Sequence, residues 1–294
     1  MDFLQPTTWA DALAAKAECP AAVPIAGGTD VMVEMNFDRH RPAALLDLTR
    51  VDELAAWDTD DGSVRLGAGV TYSRVITELG DRLPGLAMAS RTVGSPQIRN
   101  RGTVGGNLGS ASPAGDAHPV LLATDAVVEV ESAANGVRHI PIGDFFTGVK
   151  RNALAPDELI AAIRLPAASG PQQYAKIGTR NAMVIAVAAF GLALHPAERR
   201  VGTGIGSAAP TPRRAVDAEQ YVAAALDEAN LWDSRDPLPP SIATRFGDLV
   251  AEAAAPIDDV RGTARYRVHC LSVLARRTLV WAWADYRRDE TGKG

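Results

Sequence analysis

Ile25-Ala26-Gly27-Gly28-Thr29-Asp30 and, farther along, Thr103-Val104-Gly105-Gly106-Asn107-Leu108-Gly109-Ser110 are the two stretches on which the reading of this chain turns. Each is expected where a strand ends. Glycine lets a backbone approach a ligand closely and take positive φ. Consecutive amides in such a turn form a concave nest that binds anions. Two nests with the hydroxyls of Thr29, Thr103 and Ser110 beside them suit a diphosphate gripped from both sides, which points to a dinucleotide cofactor. Neither stretch is a G-x-x-x-x-G-K-[ST] loop or a G-x-G-x-x-G fingerprint.

The flanking sequence has α+β character. Thr8-Trp9-Ala10-Asp11 has capping-box spacing and predicts a helix through Ala17, stopped by Pro20. A strand over 22–26 feeds the first glycine stretch, a short helix over 30–35 follows, and 44–48 is the next strand, a small βαβ-like unit. A second unit has a strand at 64–68, a helix over 73–79 capped by Thr71, and a helix from Ala87 to Val93 that resumes toward Arg99. Past the second glycine stretch, 126–131 is a strand, Asn135-Gly136 signals a hairpin, and 158–165 is a strand ended by Pro166. Ala167-Ala168-Ser169-Gly170 is a composition break, so domains over 1–170 and 171–294 are expected. Strands over 183–194 and 201–206 come next, then three helices. Ile242, Phe246, Leu249, Val250 and Ala253 mark one of them, and Leu271, Leu274, Ala275, Leu279 and Trp283 the last. Strands followed by helices predict an α+β appendage. The polar tail 287–294 is expected to fray.

Composition excludes several classes. The chain has 294 residues, 47% of them hydrophobic, and a net charge of −5. That balance makes no electrostatic case for nucleic acid. Two cysteines, Cys19 and Cys270, cannot ligate an iron–sulfur cluster by themselves and are expected as free buried thiols. The N-terminus lacks signal-peptide character, and the longest apolar stretch, 183–190, is too short to span a bilayer. A cytoplasmic protein with no membrane span is expected.

Ala26-Gly27-Gly28-Thr29-Asp30 together with Thr103-Val104-Gly105-Gly106-Asn107 resembles the paired signature of the FAD-binding subunit of the molybdenum hydroxylases, the flavoproteins of xanthine dehydrogenase and carbon monoxide dehydrogenase. The resemblance continues in order through Ser112-Pro113-Ala114-Gly115-Asp116-Ala117-His118-Pro119 and Tyr174-Ala175-Lys176-Ile177-Gly178-Thr179-Arg180. It extends to Ala208-Ala209-Pro210-Thr211-Pro212-Arg213-Arg214 and to the stretch from Pro256 to Arg267. It implies a vanillyl-alcohol-oxidase-type (PCMH-type) FAD-binding domain of two α/β subdomains, followed by a small α+β flavoprotein domain. It also implies FAD with its diphosphate between the glycine stretches.

By that resemblance, backbone around Ala26, Gly27, Gly28, Thr29, Gly105 and Gly106 would hold the phosphates. Side chains of Thr29, Thr103, Asn107 and Ser110 would add hydrogen bonds, and Asp116 would accept from a ribose hydroxyl. On the residues alone, Asp116 also reads as a turn residue after Gly115, and Asp30 reads equally as a helix cap or an FAD contact. Leu159 or Ile160 would make a backbone contact to the flavin ring. Lys176 matches a basic residue that would stabilise the reduced ring, though a solvated surface lysine is the competing reading. Ile185 falls near the ring in the family and otherwise reads as core. His118 lacks a catalytic partner and reads as structural. Some relatives have an acidic residue where this chain has Val184, which leaves the final electron acceptor open.

The resemblance implies an electron-transfer subunit. A large partner would hold molybdopterin, a small partner [2Fe-2S] clusters, and electrons would pass through FAD to NAD or another acceptor, in a heterotrimer or a dimer of heterotrimers. Two rival readings are a stand-alone FAD-dependent oxidase or reductase on the same fold, and a scaffold that has lost FAD. The intact glycine pairs argue against the scaffold.

Overall fold

The hydroxyl of Thr8 accepts from the Asp11 amide at 3.1 Å and starts the first helix where the capping box predicts it. The computed structural model describes residues 1–60 and 62–288. Strand β1 (Asp2–Leu4), helix α1 (Trp9–Glu18), strand β2 (Val23–Ile25), helix α2 (Val31–Asn36) and strand β3 (Ala44–Asp47) form the first unit. Its sheet is parallel in the order β1-β3-β2. All four residues of β3 are buried, as a central parallel strand covered on both faces requires.

The second unit opens with β4 (Trp57–Asp60) and β5 (Ser63–Gly67). Helices α3 (Tyr72–Glu78), α4 (Pro84–Thr92), α5 (Pro96–Arg101), α6 (Val104–Ser110) and α7 (His118–Ala123) follow. It continues with β6 (Val127–Ser132), β7 (Gly136–Pro141), α8 (Ile142–Phe145), a small ribbon of β8 (Phe146–Gly148) and β9 (Arg151–Asn152), and β10 (Leu159–Pro166). The antiparallel sheet runs β4-β5-β10-β6-β7. The Asn135-Gly136 hairpin forms as expected, with Gly136 at φ 67° and opposite Ser132.

The third unit is the antiparallel sheet β11 (Gln172–Ile177), β12 (Ala188–His195) and β13 (Arg200–Gly206), covered by α9 (Val216–Glu228), a one-turn α10 (Leu231–Ser234), α11 (Pro240–Glu252) and α12 (Ala264–Arg288). The arrangement is α+β throughout. Two buried apolar clusters result. One fills the first two units around Leu46, Leu66, Leu86 and Phe145. The other lies under β12–β13 around Phe190, Phe246 and Trp283.

Helix α7 joins the two clusters. It lies against a stripe of glycines on β12 and β13 with no room for side chains. A Cβ on Gly204 would fall 2.0 Å from the Pro119 carbonyl oxygen, one on Gly202 2.0 Å from the Ala123 oxygen, and one on Gly191 2.7 Å from the Pro119 backbone. The helix backbone thereby packs directly on the sheet.

Four expectations need correction. The second glycine stretch does not follow a strand. It is helix α6, preceded by α5, because the Thr103 hydroxyl caps it and Gly105 packs on Ala68 at the exit of β5. The strand expected over 183–194 begins only at Ala188, since Met183 takes a left-handed φ of 50° that breaks an extended run. Cys19 is only half-buried, while Cys270 is buried, and both are free. In the tail expected to fray, Arg287 and Arg288 belong to α12, and 289–294 lie outside the described residues.

Replacing Gly204 by alanine should destabilise the chain by about 1–3 kcal/mol through overpacking against α7. Gly143→Ala, where a Cβ meets nothing within 4 Å, should stay within about 0.5 kcal/mol of wild type. Urea denaturation midpoints of the two variants check the contrast; equal midpoints would contradict the direct helix–sheet contact.

Candidate functional site

The two glycine stretches meet. A Cβ on Gly27 would lie 2.0 Å from the Arg101 carbonyl oxygen and 2.9 Å from the Gly102 nitrogen, so only glycine lets the first turn close on the lead-in to the second. Gly28 takes a φ of 73°, in the left-handed region that glycine occupies without penalty. A Cβ on Gly102 would sit 3.6 Å from Thr29 Oγ1, which places the Thr29 hydroxyl at the same joint. No acceptor among the described residues takes the amide hydrogens of Gly27, Gly28 or Thr29. Asp30 precedes α2 but makes no capping hydrogen bond, so the capping reading is set aside.

The second stretch is built differently from the expected nest. Thr103 bridges to Thr71, and its Oγ1 accepts from the Gly106 amide at 2.9 Å. The Gly105 amide donates to the Ala68 oxygen at 3.2 Å, and a Cβ there would strike Ala68 at 2.5 Å. These two amides are therefore committed within the chain. Gly106 is exposed, and an added Cβ would meet only Thr103 Oγ1, at 3.0 Å. At the next residue, the buried Oδ1 of Asn107 has no hydrogen-bond partner among the described residues, while the Ser110 hydroxyl donates to the Asn107 carbonyl at 2.9 Å. A cleft of about 130 Å³ opens beside the joint, with Leu48, Val51 and Leu54 on its apolar side and Thr49, Arg101 and Thr103 on its polar side.

Asp116 and Lys176, far apart in sequence, come together as a buried ion pair. Lys176 Nζ lies 2.6 Å from Asp116 Oδ2, with the two side chains 8% and 9% exposed. The same ammonium donates to the Thr92 carbonyl at 3.0 Å. Tyr174 Oη donates to Asp116 Oδ1 at 3.1 Å, and Thr92 Oγ1 donates to Oδ2 at 3.2 Å. Burial pushes the Asp116 carboxyl above its ordinary range, against the Lys176 charge and these hydrogen bonds. Lys176 is thus no solvated surface lysine. Sequence reasoning passed over Tyr174 and Thr92. Tyr174 stands two residues before Lys176 on β11, and the two-residue period of a strand puts both on one face.

His118 is fully buried, its Nε2 3.3 Å from the Asn107 carbonyl oxygen and its ring 4.6 Å from that of Phe146. Burial holds its pKa down at about 4, opposed by the Asn107 and Ser112 carbonyls. Leu159 and Ile160 open β10 and are buried. Ile160 Cδ1 lies 4.0 Å from where a Cβ on Gly109 would be. The pairing of β10 with β6 shifts register after Ile160, and the Ala161 carbonyl accepts from the Ala68 amide at 3.0 Å. Ile185 is 59% exposed, which removes it from the core. Val184 folds back on Gly178, where a Cβ would meet it at 2.3 Å. Among the described residues no helix is long and apolar enough to cross a membrane.

Residues 1–168 match the family model of the FAD binding domain in molybdopterin dehydrogenase. The chain is 30% identical over 287 residues to a putative xanthine dehydrogenase FAD-binding subunit of Escherichia coli, covering 92% of each. It is 30% identical over 291 residues to the carbon monoxide dehydrogenase medium chain of Afipia carboxidovorans, covering 95% of each. Its structure superposes with a TM-score of 0.86 on a chain of carbon monoxide dehydrogenase from Hydrogenophaga pseudoflava, at 27% identity over 97% of this chain and 98% of that one.

His118 gives the site's packing a pH signature. Its folded pKa of about 4 lies below the ordinary 6.5, so the unfolded chain binds more protons between those values. Its contribution to stability is complete above pH 6.5 and is lost as the pH falls toward 4, at up to about 1.4 kcal/mol per pH unit. Denaturant titrations of wild type and His118→Gln across this window should diverge, with the variant's stability falling less steeply; parallel curves would contradict a buried neutral ring. The joined glycine stretches, in a chain whose residues 1–168 match this family model and whose full length aligns with these subunits, lead to one conclusion: the chain belongs to the family of FAD-binding domains of molybdopterin dehydrogenases.

Proposed function

We propose that this chain is the FAD-carrying electron-transfer subunit of a heteromeric molybdenum hydroxylase. The observation that carries the reading is the run of acceptor-free amides at Gly27, Gly28 and Thr29, set against the open face of Gly106 and the orphaned Asn107 Oδ1. Such amides suit the oxygens of a diphosphate, and a buried unpaired acceptor calls for a donor that the chain itself does not supply.

In this reading, backbone from Ala26 to Thr29 binds the diphosphate, and Gly106 leaves the room it needs. The hydroxyls of Thr29 and Thr103 and the Asn107 side-chain NH2 orient it, while Asn107 Oδ1 and Ser110 Oγ, whose proton is spent on the Asn107 carbonyl, accept from hydroxyls of the cofactor. The cleft bounded by Leu48, Val51, Leu54 and Arg101 takes the adenosine end. Three protein donors already engage Asp116, and it retains acceptor capacity on Oδ1 for one hydroxyl of the cofactor. Lys176 keeps a positive charge near the ring, and Leu159 or Ile160 supplies a backbone contact. Asp30 lies at the edge of the first turn, within reach of the cofactor. Bound FAD supplies the redox chemistry that links one-electron carriers to a two-electron acceptor.

Residues 1–170 form the FAD-binding domain and 171–294 the C-terminal flavoprotein domain. A large molybdopterin-binding partner selects the substrate, and a small partner with [2Fe-2S] clusters delivers the electrons. NAD or another acceptor receives them. The assembly is a heterotrimer, or a dimer of heterotrimers, in the cytoplasm.

The purified chain should show a flavin visible spectrum, and the cofactor released by heating should co-chromatograph with FAD at one per chain. Gly106→Val should still fold, since Thr103 Oγ1, at 3.0 Å, is all that an added Cβ meets within 4 Å, yet retain no FAD. A colourless wild-type chain that refuses added FAD, or a Gly106→Val chain with full flavin content, would overturn the assignment.

A further inference from the structure

The stretch from Pro256 to Arg267 is unused by the site as described, yet it carries a guanidinium that is only 3% exposed. Arg267 stands in the first turn of α12. Its Nη1 donates to the Val187 carbonyl at 2.8 Å and to the Ser207 carbonyl at 2.6 Å, and its Nη2 pairs with Asp259. Asp259 is itself held in a tight hairpin by reciprocal 3.2 Å backbone hydrogen bonds with Gly262. Gly262 abuts Val187: a Cβ there would lie 3.2 Å from Val187 Cγ1.

The two carbonyls that Arg267 grips lead to the two halves of the buried ion pair. The Val187 amide donates to the Ile177 carbonyl at 2.7 Å, one residue beyond Lys176. The Ser207 amide donates to the Pro113 carbonyl at 2.8 Å, in the turn that delivers Asp116. Ser207 also crosses between the branches, its hydroxyl donating to the Ala186 carbonyl at 2.7 Å, and its φ of 62° is a conformation that a non-glycine residue holds only when its surroundings enforce it. A buried guanidinium is costly unless its donors are met. Here Nη1 and Nη2 are spent on two backbone oxygens and one carboxylate, which fixes three segments relative to one another, while the buried Nε has no partner among the described residues.

We propose that Arg267 is a positioning residue of the cofactor site. It sets the separation of Asp116 and Lys176 by clamping the backbone behind each of them, and so couples the C-terminal helix α12 to flavin binding. The proposal rests on the reading of Asp116 and Lys176 as FAD-facing residues given above. Lysine at position 267 keeps the charge but not the forked donor geometry. Alanine at 207 removes the hydroxyl cross-tie and leaves the backbone hydrogen bonds.

The test is FAD titration of the full-length chain, followed by flavin fluorescence and visible circular dichroism, in wild type, Arg267→Lys, Lys176→Met and the double variant. Arg267→Lys should raise the FAD dissociation constant about five- to tenfold and alter the flavin dichroism, but change affinity less than about twofold when Lys176 is already methionine. Ser207→Ala should shift affinity in the same direction by about two- to threefold, the scale of one lost hydrogen bond. Wild-type affinity in Arg267→Lys, or an equal fold loss in both backgrounds, would overturn the relay and leave Arg267 a general stabiliser of the fold. Should Arg267→Lys not fold, unchanged affinity in Ser207→Ala overturns it instead. A wild-type chain that binds no FAD fails the cofactor seat itself, an outcome distinct from failure of the relay alone.

Discussion

The carbonyl oxygen of Arg101 occupies the space that a side chain at residue 27 would need. That contact is the joint of the molecule. It closes the turn after β2 onto the end of α5, although the two belong to different units of the fold. The Tyr72 amide, donating to the Gly102 carbonyl at 3.0 Å, and the seat of Gly105 on Ala68 hold the other side of the joint. A methyl group at residue 27 would force these segments apart, at the cost of both packing and the alignment of the amides on the first turn. Interiors are packed too densely to absorb such a displacement locally.

A second constraint works at longer range. Asp116 ends the turn that enters α7, and Lys176 lies on β11, so the ion pair spans the second and third units. The backbone contact of α7 with the glycines of β12 and β13 brings them within reach. A buried ion pair is a poor source of net stability, because desolvating two charges offsets most of their attraction. Its value here is geometric. The carboxylate takes donors from Tyr174, Thr92 and Lys176 and is left with little freedom. A cofactor laid against it, as proposed above, would meet a charge whose position is already settled.

Many element boundaries follow from local signals. Thr8 and Thr71 cap the helices they were expected to cap, and Asn135-Gly136 turns the expected hairpin. What escaped was nonlocal. Glycine is a poor helix former, so Val104–Ser110 reads as a loop until Thr103 is seen to cap it and Ala68 to support it. The run 183–187 is apolar enough for a strand, but Met183 and Ile185 point outward, and a left-handed residue breaks the run. In the site, the glycine stretches, Asn107, Asp116 and Lys176 were all visible as motifs. That Asp116 and Lys176 pair was not, nor that the Gly105 and Gly106 amides are committed internally. The ion pair joins residues sixty apart and the Gly105 amide reaches back to Ala68, contacts for which a single sequence carries no periodic trace. Arg267 is the extreme case: a charged residue in a helix reads as surface, and only the packed structure reveals it as one of the most buried cations.

In the proposed function, the acceptor-free amides of the first turn hold the diphosphate of FAD. Amide hydrogen exchange of the full-length chain, with and without FAD, tests it most directly. Strong new protection is expected at Gly27, Gly28 and Thr29, and little change at Gly105 and Gly106, whose amides already have acceptors. FAD binding that left the exchange of residues 27–29 unaltered would contradict it.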